Sequence, residues 1–324
     1  YPTAMRVSAL LCARDLDPVL EALEAAFDAK GVEFDHVLKS GRTHLQDAVP
    51  IRLGQEFAAY ARAIGRGRAV LKDACRHIEE IGLGGTAAGT GLNAARGYRE
   101  RAIAYLRELT GLDLRPSPDM REAMQSCLPV AAVASALRMI ALEVIRITND
   151  LRLMASGPMT GMAEIVLPAV QPGSSIMPGK VNPAIPEMAA MAGFQVVGNA
   201  AVADYVLQAG QLEINVMMPA MAFNVLTSFT ILTTSLAVLT ARCVTGIRAD
   251  EERCRRYAEL SAGIATALNP WIGYVRVAEV VKEAMATGRT ILEVVREKKW
   301  LSEEDLKKIL DPFSMTEPGI RGKE

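Results

Sequence analysis

The sequence has almost no excess of charge: 36 Lys and Arg stand against 37 Asp and Glu, a net −1 over 324 residues. A nucleic-acid binder normally carries a clear basic excess to neutralise phosphates, so the balance argues against that class. Aromatic residues are also scarce, at 5%. The hydrophobic half of the chain is built from Ala, Val, Leu and Met, a composition that favours helices over strands and excludes disorder. Cysteine is sparse and unpaired. Cys12, Cys75, Cys127, Cys243 and Cys254 are odd in number, widely spaced and without a C-x-x-C pair. Neither a disulfide framework nor a structural zinc site is expected, and the thiols read as small buried hydrophobes in a reducing compartment, the cytoplasm. The three histidines (His36, His44, His77) are too dispersed for a metal centre, and Cys75-Arg76-His77 lacks a second ligand pair. The chain opens on Tyr1-Pro2-Thr3-Ala4, with neither an initiator Met nor a charged-then-apolar leader. The expectation is a piece of a longer chain without a signal peptide.

What is present is helical periodicity. Apolar residues recur at helical spacing over 4–30, with Gly31 as an expected stop, and again over 52–80. A polar loop is expected between them at Lys39-Ser40-Gly41-Arg42-Thr43-His44. A further long helix is expected over about 119–156, kinked or broken at Pro129. Two tracts carry no charge at all: 16 residues from Met188 to Ala203 and 28 from Ile214 to Ala241. The second is long enough to cross a bilayer, but its Asn215, Pro219, Asn224 and many Thr and Ser make a poor lipid-facing surface. It also lacks flanking Lys/Arg clusters. A helix without a charged face is alternatively one surrounded by other helices, so an oligomer with a buried inter-subunit bundle and no membrane is expected. From Asp250 the chain turns charged and its helices shorten, which places a central domain at 1–249 and a small helical C-terminal domain at 250–324.

Three segments can carry chemistry. Gly173-Ser174-Ser175-Ile176-Met177-Pro178-Gly179-Lys180-Val181-Asn182-Pro183 resembles a phosphate loop at first sight. The spacing to Gly-Lys is one residue too long, no Ser or Thr follows Lys180, and no strand precedes it, so the nucleotide reading fails. What remains is a small-residue loop offering backbone N–H groups, two hydroxyls, a cation and an amide, suited to holding an anion. In Gly41-Arg42-Thr43-His44-Leu45-Gln46-Asp47, His44 reads as an acid, a base, an anion donor or a structural residue. Arg42 and Asp47 read as paired with each other or solvated. The segment Gly84 to Asn93 borders a ligand or makes a tight packing turn.

Gly173 to Pro183 resembles the GSSxMPxKxNP signature of the aspartase/fumarase superfamily. Arg42-Thr43-His44, Gly85 to Asn93, Asn149-Asp150-Leu151-Arg152 before Ser156-Gly157-Pro158, and Asn269-Pro270 with Gly273-Tyr274 agree in order, so the likeness spans essentially the whole chain. Thr43 to Pro50, Leu167-Pro168 with Gln171-Pro172, and Met315 to Ile320 look like the aspartase branch rather than the class II fumarate hydratase branch.

The resemblance implies an all-α fold whose long helices form a twenty-helix bundle in a homotetramer, with each active site shared between three chains. The implied reaction is reversible anti elimination of ammonia from L-aspartate to give fumarate, with malate dehydration or a non-catalytic scaffold as the alternatives. It implies that Ser174, as an alkoxide on a mobile loop, removes the C3 proton to form an aci-carboxylate. Ser175 and the Ile176 and Met177 amides are then candidates for cradling the β-carboxylate. Thr43, Lys180 and Asn182 hold the other carboxylate, His44 assists, and Glu187 orients it. No organic cofactor is implied, although some members are activated by a divalent cation such as magnesium. Two departures stand out. The family's upstream domain and substrate stretch have no counterpart here, and Met124 in Ala123-Met124-Gln125-Ser126 stands where the family usually has Thr.

Overall fold

Apolar residues spaced three and four apart dictate helices, and helices dominate the structure. The computed structural model describes residues 1–322. The helices are α1 (Pro2–Glu33), α2 (Leu53–Ile78), α3 (Tyr98–Thr110), α4 (Met120–Gln125), α5 (Leu128–Met154), α6 (Ala184–Gln208), α7 (Met218–Arg242), α8 (Glu251–Leu260), α9 (Asn269–Ile272), α10 (Tyr274–Thr287), α11 (Ile291–Lys298) and α12 (Glu303–Ile309). Three two-stranded pairs accompany them: β1 (Leu38–Thr43) with β2 (Gln46–Arg52), β3 (Glu80–Ile81) with β4 (Arg115–Pro116), and β5 (Ile165–Val166) with β6 (Arg248–Ala249). The fold is all-α, as expected. The chain forms two compact units.

The first unit comprises residues 1–26, 60–153 and 168–246. Its core is a set of helical stripes: Leu16, Leu20 and Leu23 on α1; Ile64, Leu71 and Ile78 on α2; Val133, Leu137, Ile140, Val144 and Ile147 on α5. Small residues let helices approach closely. A side chain at Gly193 of α6 would press on Ile145 of α5, and one at Gly67 of α2 would press on Ile140. The two uncharged tracts become α6 and α7, joined by a short connection and packed together, with Val196, Ala200, Ala203, Val225, Phe229 and Leu232 buried on them. A buried polar tie crosses that seam: Asn199 Nδ2 donates to Ser228 Oγ at 3.1 Å. Pro129 marks a break, as expected, because α4 ends at Gln125 and α5 restarts at Leu128 with the proline in its first turn.

The second unit comprises residues 27–59, 154–167 and 247–324. The unit thus combines the C-terminal stretch with two earlier segments of the chain. Its C-terminal core gathers Leu268, Val280, Val294, Val295 and Ile309. Phe27, Phe34 and Phe57 cluster separately, with Phe34 edge-on to Phe57 at 5.2 Å.

Two expectations are corrected here. Gly31 does not stop α1, which continues to Glu33. Its missing side chain makes room for α2, whose Gly54 would drive a Cβ into the Gly31 carbonyl oxygen. Residues 39–43 of the expected polar loop are strand β1, paired antiparallel with β2 from Leu38↔Arg52 to Thr43↔Gln46, and only His44 lies in a turn. Its polar residues misled because Lys39 and Ser40 are buried, at 2% and 1% exposure.

Among the described residues α5, α6 and the stretch Met218–Gly246 that contains α7 are long and apolar enough to cross a bilayer by length and composition, yet half or less of the most apolar part of each is buried within the described chain. Leu142, Phe194, Tyr205 and Phe223 are exposed along them.

Candidate active site

The signature segment leads into α6 as a loop tied shut at its base. Asn182 Nδ2 donates to the Gly173 carbonyl at 2.7 Å, and any Cβ at Gly173 would collide with the Lys180 carbonyl oxygen. Gly179 turns the chain at φ 80°, and the Lys180 N–H reaches the Met177 carbonyl at 3.3 Å. Within this frame Ser174 Oγ accepts two backbone N–H groups, from Ile176 at 3.2 Å and Met177 at 3.1 Å. Ser175, Ile176, Met177 and Lys180 are exposed, while Ser174 and Asn182 are partly buried. The structure therefore brings Ser174 together with the Ile176 and Met177 amides, and gives Asn182 a role in closing the loop.

Thr43 and His44 belong to the other unit, at the tip of the β1–β2 hairpin. His44 and Leu45 form its two-residue turn, with φ of 55° and 60°. Positive φ at both positions is the geometry usually given to Asn-Gly, so the turn presents His44 outward at a conformational cost. Thr43, His44 and Leu45 are all exposed.

Beneath the tip lies a group of charges that sequence reasoning missed. Lys39 Nζ sits 2.9 and 3.0 Å from the two Glu56 oxygens and 3.0 Å from Glu164 Oε2. Arg42 Nη1 takes the other Glu164 oxygen at 2.7 Å, and its guanidinium lies over the Tyr257 ring at 5.6 Å. Glu164 is fully buried. Burial alone would lower the Lys39 pKa, but the attraction of Glu56 and Glu164 outweighs it and holds the ammonium above its ordinary value. Arg42 is thus neither solvated nor paired with Asp47; it faces Asp47 only in strand register. A signal for the cluster was present in Gly161-Met162-Ala163-Glu164-Ile165-Val166-Leu167, where one carboxylate sits among apolar residues.

Glu187 lies in the first turn of α6, and its cation within the same unit is Arg152 of α5, at 3.7 Å. Arg152 also reaches Asn149 Oδ1 at 3.1 Å. The Gly84–Asn93 segment borders a cleft of about 600 Å³ lined by Thr3, Gly85, Thr86, Met124, Asn215 and Met218. It is also a packing turn: Gly89 abuts the Arg121 backbone, and Gly85 leaves room for the Met124 sulfur.

Other reactive groups are set apart. Burial pushes the Cys75, Cys243 and Cys254 thiols up to about 12, so none is a thiolate near neutrality. Among the described residues no three His, Cys, Asp or Glu are placed to hold a metal ion.

The serine on its donor-rich loop and the histidine-bearing hairpin stand on a helical scaffold, and comparison with known proteins gives the class to which that scaffold belongs. Residues 1–198 match the Lyase family and residues 264–317 the Fumarase C C-terminus. The chain belongs to this family of lyases and is an enzyme of that class. Similar curated proteins include aspartate ammonia-lyases. That of Bacillus subtilis (strain 168) is 45% identical over 324 residues, covering 100% of this chain and 68% of the relative. That of Pseudomonas fluorescens is 46% identical over 321 residues, covering 99% and 67%. Among solved structures, the Brucella melitensis fumarate lyase:delta crystallin bound to cobalt superposes with a TM-score of 0.94 at 45% identity, over 98% of this chain and 69% of the other. The class II fumarase from Schistosoma mansoni gives 0.92 at 33% identity, over 97% and 69%.

Proposed function

We propose that this chain eliminates ammonia from L-aspartate to give fumarate, reversibly, as part of a cytoplasmic homotetramer whose sites draw on more than one subunit. The observation that carries the chemistry is the pair of N–H groups aimed at Ser174 Oγ. A serine hydroxyl is a very weak acid, and hydrogen bonds donated to the anion favour the charged form. With the Lys180 ammonium on the same loop, Ser174 serves as the alkoxide base. It takes the proton from C3 of aspartate, and the C–H electron pair moves into the adjacent carboxylate to give a dianionic aci-carboxylate. That pair then returns to form the C–C double bond as the C2–N bond breaks and ammonia leaves on the opposite face.

Each developing charge needs a donor already in place, worth on the order of 10²–10³ in rate per donor in comparable oxyanion sites. Ser175 is assigned to the reacting β-carboxylate, with the Ile176 and Met177 amides shared between that carboxylate and Ser174 Oγ. Thr43, Lys180 and Asn182 are assigned to the other carboxylate, with His44 assisting and Glu187 assigned to orient it. The preference for aspartate over malate rests on the subfamily residues and on the greater identity to aspartate ammonia-lyases than to the fumarase.

The test follows fumarate by ultraviolet absorbance in the active enzyme, with L-aspartate and L-malate offered separately. Turnover of aspartate alone is expected; turnover of malate alone would make the chain a hydratase. Ser174→Ala should lower kcat by at least about 10³-fold with KM within a few-fold, the pattern of a group acting in the transition state. Normal turnover in that variant would remove Ser174 as the base.

A further inference from the structure

We propose that the Lys39–Glu56–Glu164–Arg42 cluster is the positioning device of the Thr43–His44 turn, with Lys39 and Glu164 acting on catalysis only through the hairpin they hold. The inference rests on the assignment of Thr43 and His44 to substrate carboxylate.

The hairpin has reason to move. Its turn holds two non-glycine residues at positive φ, its tip is exposed, and the strand register shifts between Ser40 and Arg42, so regular ladder pairing does not run unbroken to the tip. A strained turn persists only where the surroundings over-determine it. The surroundings here are ionic. Two cations of one strand, Lys39 and Arg42, converge on one fully buried carboxylate, Glu164, and Lys39 is shared with Glu56 from the first turn of α2. Glu164 belongs to the segment entering β5, and its backbone is pinned independently: its N–H donates to the Met154 carbonyl at 2.9 Å, and its carbonyl accepts the Asp250 N–H at 2.9 Å.

The far side of Arg42 is closed by Tyr257 of α8, whose hydroxyl donates to the Gly161 carbonyl at 3.4 Å. Arg42 is thus clamped between a carboxylate and an aromatic face, one residue before Thr43 and two before His44. Two formal positive and two formal negative charges are enclosed, so the cluster presents little net field of its own to a substrate. Its output is geometry: it fixes the direction in which the last residues of β1 leave the unit.

The experiment combines hydrogen exchange with a kinetic cycle in the active enzyme. Lys39→Met and Glu164→Gln each remove one charge while keeping approximate shape, and Lys39→Arg is the rescue variant. Amide exchange of residues 42–47, read by peptide mass spectrometry, should quicken at least tenfold in Lys39→Met and Glu164→Gln. The α5, α6 and α7 peptides should stay at wild-type rates, and Lys39→Arg should restore most of the protection. If Lys39→Met fails to fold, Glu164→Gln carries the same reading, and Arg42→Gln, at the exposed edge of the cluster, gives a third.

In kinetics, Glu164→Gln should raise KM for aspartate tenfold or more with a smaller fall in kcat. It should add less than twofold to the kcat/KM loss already caused by the Thr43→Ala/His44→Ala double variant, because the cluster acts through those two residues. Full multiplication of the two effects, or unchanged exchange at 42–47, would overturn the proposal. If the double variant keeps wild-type kcat/KM, the carboxylate assignment fails instead, and the exchange data alone decide whether the cluster holds the turn.

Discussion

Gly173 shows how one missing side chain controls the signature loop. Its Cα sits where a Cβ would overlap the Lys180 carbonyl oxygen, and Asn182 bonds to its carbonyl at 2.7 Å. Gly173→Ala must therefore spread the base of the loop, carrying Ser174 away from the Ile176 and Met177 amides. Because misplacement of about 1 Å can cost about 10²-fold, kcat/KM should fall at least a hundredfold while far-ultraviolet circular dichroism is unchanged. A variant with near-normal kcat/KM would show that the closed base is dispensable. Leu45 poses the opposite case, a side chain where glycine would sit more easily. Leu45→Gly should relieve about 1 kcal/mol of backbone strain, raising the thermal midpoint; a lowered midpoint would show that Leu45 makes contacts worth more than its conformation costs. At this scale the sequence was most legible where chemistry is local. The whole donor set of the signature loop sits within eleven consecutive residues, whereas Lys39, Glu56 and Glu164 meet only after folding. No spacing rule foretells that a lysine in a polar stretch is 2% exposed.

At the scale of elements, the helices were readable from apolar spacing, and Pro129 broke its helix as its missing N–H requires. Gly31 misled because glycine has two uses, ending a helix and letting another backbone approach, and only the partner distinguishes them. That partner is Gly54, from which the test follows. Gly54→Ala would place a methyl against the Gly31 carbonyl and the Asp35 backbone, costing about 1–3 kcal/mol as overpacking does. The thermal midpoint should drop by several degrees, and an unchanged midpoint would mean that α1 and α2 yield without cost.

The hairpin between those helices makes a pH prediction. The Lys39 pKa is raised in the folded protein, by Glu56 and Glu164 against the opposing effect of burial. Its stabilisation is then in full force below the unfolded value of about 10.4 and is lost as pH rises through the folded value. Stability measured from pH 8 upward should therefore fall above about pH 10.4, and Lys39→Arg should flatten that decline, since arginine keeps its proton. An identical decline in both proteins would place the titration elsewhere.

The whole molecule presents a surplus of apolar surface that neither helical periodicity nor the described core absorbs. α5, α6 and α7 each bury one face, yet Leu142, Met191, Phe194, Tyr205 and Phe223 stand exposed, with Phe223 at 71%. Helices apolar on more than one face belong inside a larger bundle or in a bilayer. The polar residues on α7 do not decide between these by themselves, since Asn224, Thr230 and Thr234 satisfy themselves on carbonyls one turn back. The Arg138–Asp204 pair, at 3.7 Å and well exposed, is costly in hydrocarbon and ordinary between subunits. A homotetramer bundle is therefore the proposed environment, and Phe223→Glu is its test. A carboxylate placed at the centre of a packed seam has no partner there, and burying it unpaired would cost several kcal/mol per subunit. The variant should sediment as species smaller than a tetramer, bind an apolar-surface dye more strongly and lose activity, because the sites proposed to be shared between chains could not assemble. Sedimentation as an intact tetramer would remove this face of α7 from the interface, and partition of the wild-type chain into lipid vesicles would replace the bundle with a membrane.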